Sequence, residues 1–201
     1  MLTHRLTRYF EIPESLAIEI FAARKSIFCD RLGWAIPCDG EYEMDLHDLP
    51  QTLILVSTNS SNRLAGYARL LPANECCMLD TVLRFPNVDQ SAREGYYEIS
   101  RFFLMRNRAV ISNRLTAGDF FRELILAAES LGAKGYLAAV DSKMLACLKR
   151  CGWEYRHISS RFGSAGDFVY LISLPVDGAA LAKVSSMSGS AKKVLSIACE
   201  A

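Results

Sequence analysis

Apolar residues recur along this chain with two periods, and the change from one to the other marks helices and strands. Between Pro13 and Phe28 they follow helical spacing, with a proline near the start and a glutamate in the first turn. The runs 52–57 and 64–71 are short, rich in Leu, Ile and Val, and separated by a polar turn. Such a pair predicts a β-hairpin.

The second half of the chain predicts strands and helices in alternation. A strand is expected at residues 97–104, and residues 116–119 have the form of a capping box that opens a long helix. A strand at 136–140 precedes a helix that Asp141 can cap, and a last strand spans 168–174. This order predicts an α/β fold, a three-layer α/β/α sandwich with a mixed, mostly antiparallel sheet.

Length and composition favour one domain. The chain has 201 residues, of which 51% are hydrophobic. We expect a single domain over residues 1–175 and a C-terminal tail over 176–201 that forms a short helix or stays loose. No apolar run approaches the roughly 18 residues that span a bilayer, and the N-terminus lacks the apolar segment of a secretory signal. These features predict a cytoplasmic protein, and the seven cysteines are interpreted as reduced thiols.

The net charge of +1 conceals a difference between the two halves. Residues 1–100 carry 9 Lys and Arg against 14 Asp and Glu, whereas residues 101–201 carry 14 against 8. An asymmetry of this size arises by chance in surface residues, or it reflects two ligands of opposite charge.

The run 98–103 places charges inside an apolar, aromatic segment. On a regular strand Glu98 and Ser100 share a face with Phe102, and Arg101 lies on the other face. A bulge would bring Glu98 and Arg101 together. We expect Glu98 either to pair with a cation or to carry a raised pKa that suits proton transfer, the alternative being a purely structural ion pair.

Further charges lie upstream of this run. A long acidic loop carries Asp45 and Asp48, and Trp34 beside it offers a ring suited to stacking or to holding a cation. Arg69 stands within a predicted strand and needs a carboxylate or a backbone acceptor. Taken singly, the loop is explained by solvation and the tryptophan by core packing.

As a set, these residues resemble the LuxI-type acyl-homoserine lactone synthases. The resemblance covers residues 1 to about 175, and the second half is also similar in architecture to the Gcn5-related N-acetyltransferases. The Gly-rich pyrophosphate loop usual in the latter is missing, and residues 106–110 stand in its place. The matching positions are Arg24, Phe28, Trp34, Asp45, Asp48, Arg69, Glu98, Ser100 and Arg101.

The resemblance implies a two-step reaction that yields a quorum-sensing signal. The amine of S-adenosylmethionine is acylated by a thioester on acyl carrier protein, with acyl-CoA the less expected donor, and its carboxylate then closes the lactone as methylthioadenosine leaves. S-adenosylmethionine is consumed as a substrate, so no cofactor or metal is expected, nor any nucleic acid. Glu98 is the first choice of general base and Asp45 the second, with Arg101 and Ser100 in the same catalytic group.

The resemblance also assigns binding residues. The S-adenosylmethionine side comprises Arg24, Phe28, Trp34, Asp45, Asp48 and Arg69. The acyl pocket is expected between the sheet and the C-terminal helices, lined by Phe103, Leu124, Ile125, Tyr136 and Ala138. Lys149 and Arg150 are expected to dock the carrier protein. Family members that favour 3-oxo chains often carry threonine at the position of Ala138, so an unsubstituted or 3-hydroxy acyl product is expected.

Two other functions fit the same pattern. A generic N-acyltransferase that uses acetyl-CoA would have this architecture, although the missing pyrophosphate loop and the Asp45, Asp48 and Arg69 set disfavour it. A non-catalytic sensor could keep the fold and bind an acyl ligand. The intact Glu98 with all its partners argues against the sensor.

Overall fold

The structure, a computed structural model, describes residues 2–34, 36, 38, 40–85, 88–105, 115–163 and 168–188. Within them the strands are β1 (Thr3–Arg8), β2 (Leu53–Thr58), β3 (Leu64–Pro72), β4 (Tyr96–Leu104), β5 (Gly135–Val140), β6 (Arg156–Phe162) and β7 (Phe168–Leu174). The α-helices are α1 (Glu14–Arg24), α2 (Ala117–Ser130), α3 (Ser142–Arg150) and α4 (Gly178–Ser188). Single π-helical turns cover Lys25–Arg31 and Leu79–Leu83.

The strands form one sheet in the order β1-β2-β3-β4-β5-β7-β6. Every neighbouring pair is antiparallel except β4 and β5, which are parallel, so the predicted mixed and mostly antiparallel sheet is confirmed. The two edge strands β1 and β6 were not predicted. Their sequences are polar and mostly exposed, so they lack the apolar alternation by which a strand is recognised.

Helices cover both faces of the sheet and confirm the three layers. On one face α2 packs through Phe120, Leu124 and neighbouring residues against β3, β5 and β7, with α3 and α4 beside it. On the other face α1 and the π-turn after it pack against β2, β3 and β4, through residues that include Ile20 and Phe28.

Local capping sets where two helices begin. The Thr116 side chain accepts a hydrogen bond from the Asp119 N–H at 3.2 Å, and the Asp119 carboxylate accepts one from the Thr116 N–H at 3.2 Å. The Asp141 carboxylate likewise accepts the Met144 N–H at 2.7 Å at the start of α3. Both caps agree with the sequence prediction.

Part of the predicted tail is a helix that packs on the domain. Ala180 and Val184 of α4 are buried in the same apolar cluster as α2. The tail over 178–188 therefore contributes to the core.

The central strand β4 contains a bulge. Arg69 pairs with Ser100 and Tyr67 with Phe103, so Ala68 alone lies opposite two residues of β4. Arg101, one of the two, has a φ of 54°. The bulge places Arg101 on the face that Ser100 occupies, as the run of charges in this strand had suggested.

The two parallel strands separate beyond this point. Pairing between β4 and β5 ends at Ile99 with Ala138, although β4 continues to Leu104 and β5 to Val140. The separation opens a cleft in the middle of the sheet.

The cysteines of this chain are not all reduced thiols. Cys29 and Cys38 are joined by a disulfide, so the interpretation of all seven cysteines as reduced thiols is wrong for this pair. The sequence lacked any pairing signal, because it is the fold of the π-turn and the following loop that brings these thiols together.

None of the helices in the described ranges has the length and apolarity to cross a bilayer.

Candidate functional site

The cleft between β4 and β5 is a cavity of about 630 Å³. Its lining has a polar, aromatic part and an apolar part. The first includes Phe28, Arg31, Trp34, Ser100, Arg101, Asp141 and Lys143. The second includes Ile99, Phe102, Phe121, Leu124, Ala138, Met144, Leu148, Trp153 and Leu174.

Beside the polar part lies a buried network of three arginines and three carboxylates, which are formally balanced in charge. Its members are Arg24, Arg69, Arg101, Glu43, Asp45 and Asp48. All three arginines are at most 5% exposed. Since each would be costly to bury alone, the network is expected to form as a unit.

Asp45 and Asp48 connect the acidic loop to the sheet. The Arg69 guanidinium donates to both oxygens of Asp45, at 2.7 and 2.9 Å, and to Asp48 at 2.7 Å. The Arg24 guanidinium donates to both oxygens of Asp48, at 2.6 and 2.9 Å. Two-pronged pairs of this kind fix orientation as well as charge.

Their partners also determine how these carboxylates titrate. Burial by itself would raise the pKa of Asp45, but the hydrogen bonds and charge of Arg69 outweigh it and hold that pKa well below its usual range. The pKa of Asp48 is lowered in the same way, chiefly by Arg24 against the effect of burial. Asp45 is therefore a weak base at neutral pH, which disfavours its predicted second-choice role.

Glu43 is a member of the network that the sequence analysis missed. It is fully buried and accepts from Arg24 Nε at 2.6 Å and from Arg101 Nε and Nη2 at 3.1 and 2.9 Å. In the sequence it is one of several acidic residues in a loop, and nothing distinguishes it from the exposed Glu41. Only the packing of the loop under α1 and β4 separates the two.

The predicted aromatic residues meet at the cleft. The Phe28 and Trp34 rings lie 4.9 Å apart between centroids, and the Arg101 guanidinium lies 5.5 Å from the Phe28 centroid. Phe28 is buried, whereas Trp34 is 43% exposed. Both rings line the polar part of the cleft, and aromatic faces of this kind can bind a cation.

Glu98, the predicted first choice of general base, is a buried residue of β4. It is 1% exposed, is not among the residues that line the cleft, and accepts the Leu79 N–H at 3.2 Å. No arginine or lysine within the described ranges forms an ion pair with it. Burial raises its pKa, which is the second of the two outcomes expected from the sequence.

Two of the five residues predicted for the acyl pocket line the cleft, and three do not. Leu124 and Ala138 line the cleft as expected. Phe103 does not, because the bulge at Arg101 turns it to the opposite face, where it packs on Tyr67. Ile125 and Tyr136 are buried in the core below the cleft, Tyr136 at the level where β4 and β5 are still paired.

The predicted docking residues lie in the last turn of α3, next in sequence to Leu148, which lines the cleft. Lys143, in the first turn of α3, lines the cleft, whereas Lys149 and Arg150 are exposed in the last turn. The segment 106–110, which stands where a pyrophosphate loop was sought, lies outside the described residues.

Comparison with known proteins identifies the family. The autoinducer synthase family model matches residues 10–184. The acyl-homoserine-lactone synthase of Enterobacter agglomerans is 31% identical over 173 residues, which cover 84% of this chain and 80% of that protein. The synthase of Yersinia ruckeri matches with the same identity and coverage.

Solved structures share the fold. A crystal structure of TofI in a ternary complex with an inhibitor and MTA has a TM-score of 0.74 at 21% identity, over 91% of this chain and 96% of that one. BjaI, a CoA-dependent acyl-homoserine lactone synthase solved with SAM and isopentyl-CoA, has a TM-score of 0.78 at 16% identity, over 94% and 90%. A putative N-acetyltransferase from Lactobacillus plantarum has a TM-score of 0.57 at 15% identity, over 87% and 99%. The expected similarity in fold to N-acetyltransferases is therefore confirmed.

All of the positions on which the resemblance was based, except Glu98, lie in the network, in the aromatic pair or in the lining of the cleft. The family model spans most of the chain, and curated relatives match it at about 30% identity. The chain therefore belongs to the autoinducer synthase family and is an acyltransferase related to the acyl-homoserine-lactone synthases.

Proposed function

We propose that this protein synthesises an N-acyl-homoserine lactone from S-adenosylmethionine and an acyl thioester. In the first step the amine nitrogen attacks the thioester carbonyl, a C–N bond forms, the C–S bond breaks and the thiol leaves. In the second step the carboxylate oxygen attacks the γ carbon, whose bond to sulfur breaks, and methylthioadenosine leaves as a neutral thioether. The observation that carries the proposal is one cleft with a polar, aromatic part and an apolar part on either side of the β4 bulge.

The polar part of the cleft suits S-adenosylmethionine. Its sulfonium is a weakly hydrated cation of the kind that aromatic faces bind, and Phe28 and Trp34 supply two such faces. Arg101 offers its guanidinium to the substrate carboxylate at the same part of the cleft. Among the solved relatives, BjaI was crystallised with SAM and TofI with MTA.

The strand separation suits acyl transfer. Beyond Ile99 the edge of β4 that faces β5 has no partner strand among the described residues, so its N–H groups are available to an oxygen that develops negative charge. Ser100, whose hydroxyl accepts the Arg69 Nε–H at 3.0 Å, lies at the same place. The amine, with a pKa of roughly 8, is partly neutral near physiological pH and can attack once it has lost its proton.

The apolar part of the cleft favours an unsubstituted acyl chain. Around Ala138 the lining side chains are hydrocarbon, apart from the Met144 thioether and the Trp153 indole. The indole N–H is already donated to the Pro175 carbonyl at 2.8 Å. A 3-oxo group buried there would lose its hydrogen bonds to water, at a cost of roughly 1–3 kcal/mol.

The donor we propose is a thioester of acyl carrier protein, a strongly acidic partner. Residues 143–161 carry five Lys and Arg against one Glu, and three of the basic residues are on α3, whose first turn borders the cleft. Long-range attraction between opposite charges would favour docking on this side.

Product analysis tests the proposal. The purified protein is incubated with S-adenosylmethionine and matched acyl-carrier-protein and acyl-CoA thioesters of several chain lengths, and the products are measured by mass spectrometry. We expect lactone and methylthioadenosine in equal amounts, with the carrier-protein thioesters preferred. Arg69→Gln should abolish both products, whereas Arg63→Gln, at an exposed arginine, should not. Acyl transfer without methylthioadenosine would identify an ordinary N-acyltransferase instead.

A further inference from the structure

The buried turn that contacts Glu98 spans residues 77–79. The Leu79 N–H donates to Glu98 Oε2 at 3.2 Å, and the Met78 N–H and the Cys77 thiol interact with the same carboxylate. All three turn residues are at most 5% exposed. The positive charge of Arg69 also acts on Glu98 through space.

The same turn is anchored on its outer side. Asp80 accepts hydrogen bonds from both terminal nitrogens of Arg93, at 3.2 and 2.7 Å, and its carboxylate is 3.4 Å from the Cys77 N–H and from the Cys77 thiol. The turn is thus held by one carboxylate from outside and by Glu98 from β4.

The side chain that this turn presents is the Met78 thioether. Its sulfur accepts from Arg69 Nη2 at 3.0 Å and lies 3.4 Å from Arg101 Nη1. Met78 therefore contacts the two arginines that join the network to the sheet, one of which lines the cleft. Glu98, the turn, the thioether and Arg101 form one continuous series of contacts that leads to the proposed substrate.

We propose that Glu98 is a positioning residue, which holds the turn over 77–79 so that Met78 supports Arg69 and Arg101, and that it is not the base that deprotonates the amine. Within the described residues, the hydrogen-bond donors to its carboxylate come from this turn, and Glu98 does not border the cleft. The inference rests on the proposed function, because it assigns the role of one residue in that reaction. Water then takes the proton of the amine, whose own pKa is roughly 8.

Two substitutions at one position separate the two roles. Glu98→Gln keeps an oxygen that accepts the backbone N–H groups, so kcat/KM for S-adenosylmethionine should stay within about 5-fold of wild type, since neutral hydrogen bonds replace charge-assisted ones. Its pH profile should keep the wild-type rise toward alkaline pH. Glu98→Ala leaves the turn unsupported and should raise the KM for S-adenosylmethionine about 10-fold or more, since small misplacements of binding groups have large effects. Loss of about 100-fold in kcat in both variants, with a flattened pH profile, would identify Glu98 as the base and overturn the proposal.

Met78 provides an independent test. Met78→Leu keeps the volume but removes the thioether acceptor, and it should raise the KM for S-adenosylmethionine in the same direction as Glu98→Ala. The double variant Glu98→Ala with Met78→Leu should have a KM for S-adenosylmethionine no higher than that of the single variant with the higher KM. The reason is that both substitutions act on one series of contacts. If Met78→Leu had wild-type kinetics, or if its effect on the KM added to that of Glu98→Ala, the proposed role of Met78 would be wrong.

Hydrogen exchange gives a readout that does not depend on activity. Amides of the segment 76–83 should exchange faster in Glu98→Ala and stay protected in Glu98→Gln, whereas unchanged protection in both would overturn the proposal. Val184→Ala, in the buried face of α4, is the control for general destabilisation. It should lower Tm without changing the KM or the exchange of this segment. Absence of lactone from the wild-type protein would count against the proposed function alone, since the exchange experiment still tests the turn.

Discussion

Replacement of Glu43 by Gln tests whether the six-residue network is held together as a unit. The carboxylate bridges Arg24 and Arg101 with hydrogen bonds of 2.6, 3.1 and 2.9 Å, and no part of it reaches solvent. Glutamine is isosteric but neutral, so it leaves one unit of positive charge uncompensated in the buried network. Removal of one partner from a buried pair costs about 3–5 kcal/mol. Because the glutamine oxygen still accepts one hydrogen bond, we expect a loss of about 2–4 kcal/mol.

Urea denaturation measures the free energy of unfolding, with the m-value checked for a change in the denatured state. Glu19→Gln is the matched control, since Glu19 pairs with Arg63 at 3.0 Å but the side chains are 22% and 72% exposed. That variant should lose less than about 1 kcal/mol.

A double-mutant cycle apportions the effect. Glu43→Gln combined with Arg101→Gln should show a coupling energy of about 1–3 kcal/mol, because Arg101 donates to Glu43 from both Nε and Nη2. If Glu43→Gln were no more destabilising than Glu19→Gln, or if the two network substitutions were additive, the reasoning from burial and charge balance would be refuted.

Three further predictions follow from the cleft, the surface of α3 and the network. Ala138→Thr should shift product analysis toward 3-oxo lactones by about 5-fold or more, because it adds a donor to an apolar wall. Lys149→Glu with Arg150→Glu should raise the KM for carrier-protein thioesters and leave the KM for S-adenosylmethionine unchanged. In the wild type, added salt should also raise the KM for carrier-protein thioesters. Asp45 and Asp48 have lower pKa values in the folded protein than in the unfolded chain, so their ionised forms stabilise the fold. This contribution is complete above the unfolded pKa of about 4 and is lost as pH falls through the folded pKa values. Urea denaturation at a series of acid pH values should show this loss, and the free energy of unfolding should depend less steeply on pH in Asp45→Asn.

Each of these has a contrary outcome. A 3-oxo lactone as the main product of the unmodified protein would contradict the role given to Ala138. Equal effects on both substrates, or on neither, would contradict docking at Lys149 and Arg150. An acid slope that Asp45→Asn leaves unchanged would mean that other groups control stability below pH 4.

Local sequence patterns were sufficient for most of the elements. The capping box at Thr116 and the Asp141 cap depend on residues three positions apart, so they could be predicted without knowledge of the fold. The hairpin of β2 and β3 was likewise visible from two apolar runs and a turn. Charged residues in apolar segments, such as Arg69 and Arg101, showed that partners were needed, because such groups are costly to bury alone.

What the tertiary structure alone decided is which partner each charge received and which groups reach the cleft. The left-handed backbone at Arg101 moves Phe103 out of the acyl pocket, and no pattern in the strand predicts where a bulge will fall. Glu43, and not Glu41, belongs to the network because it contacts Arg101 of β4, which lies more than fifty residues away in the sequence. Glu98, whose position in the strand suggested a base, is satisfied by the backbone of a turn whose Leu79 lies 19 residues away in the sequence. Hydrophobic periodicity and capping are local, whereas these contacts depend on the register of the whole sheet, which a single sequence does not reveal.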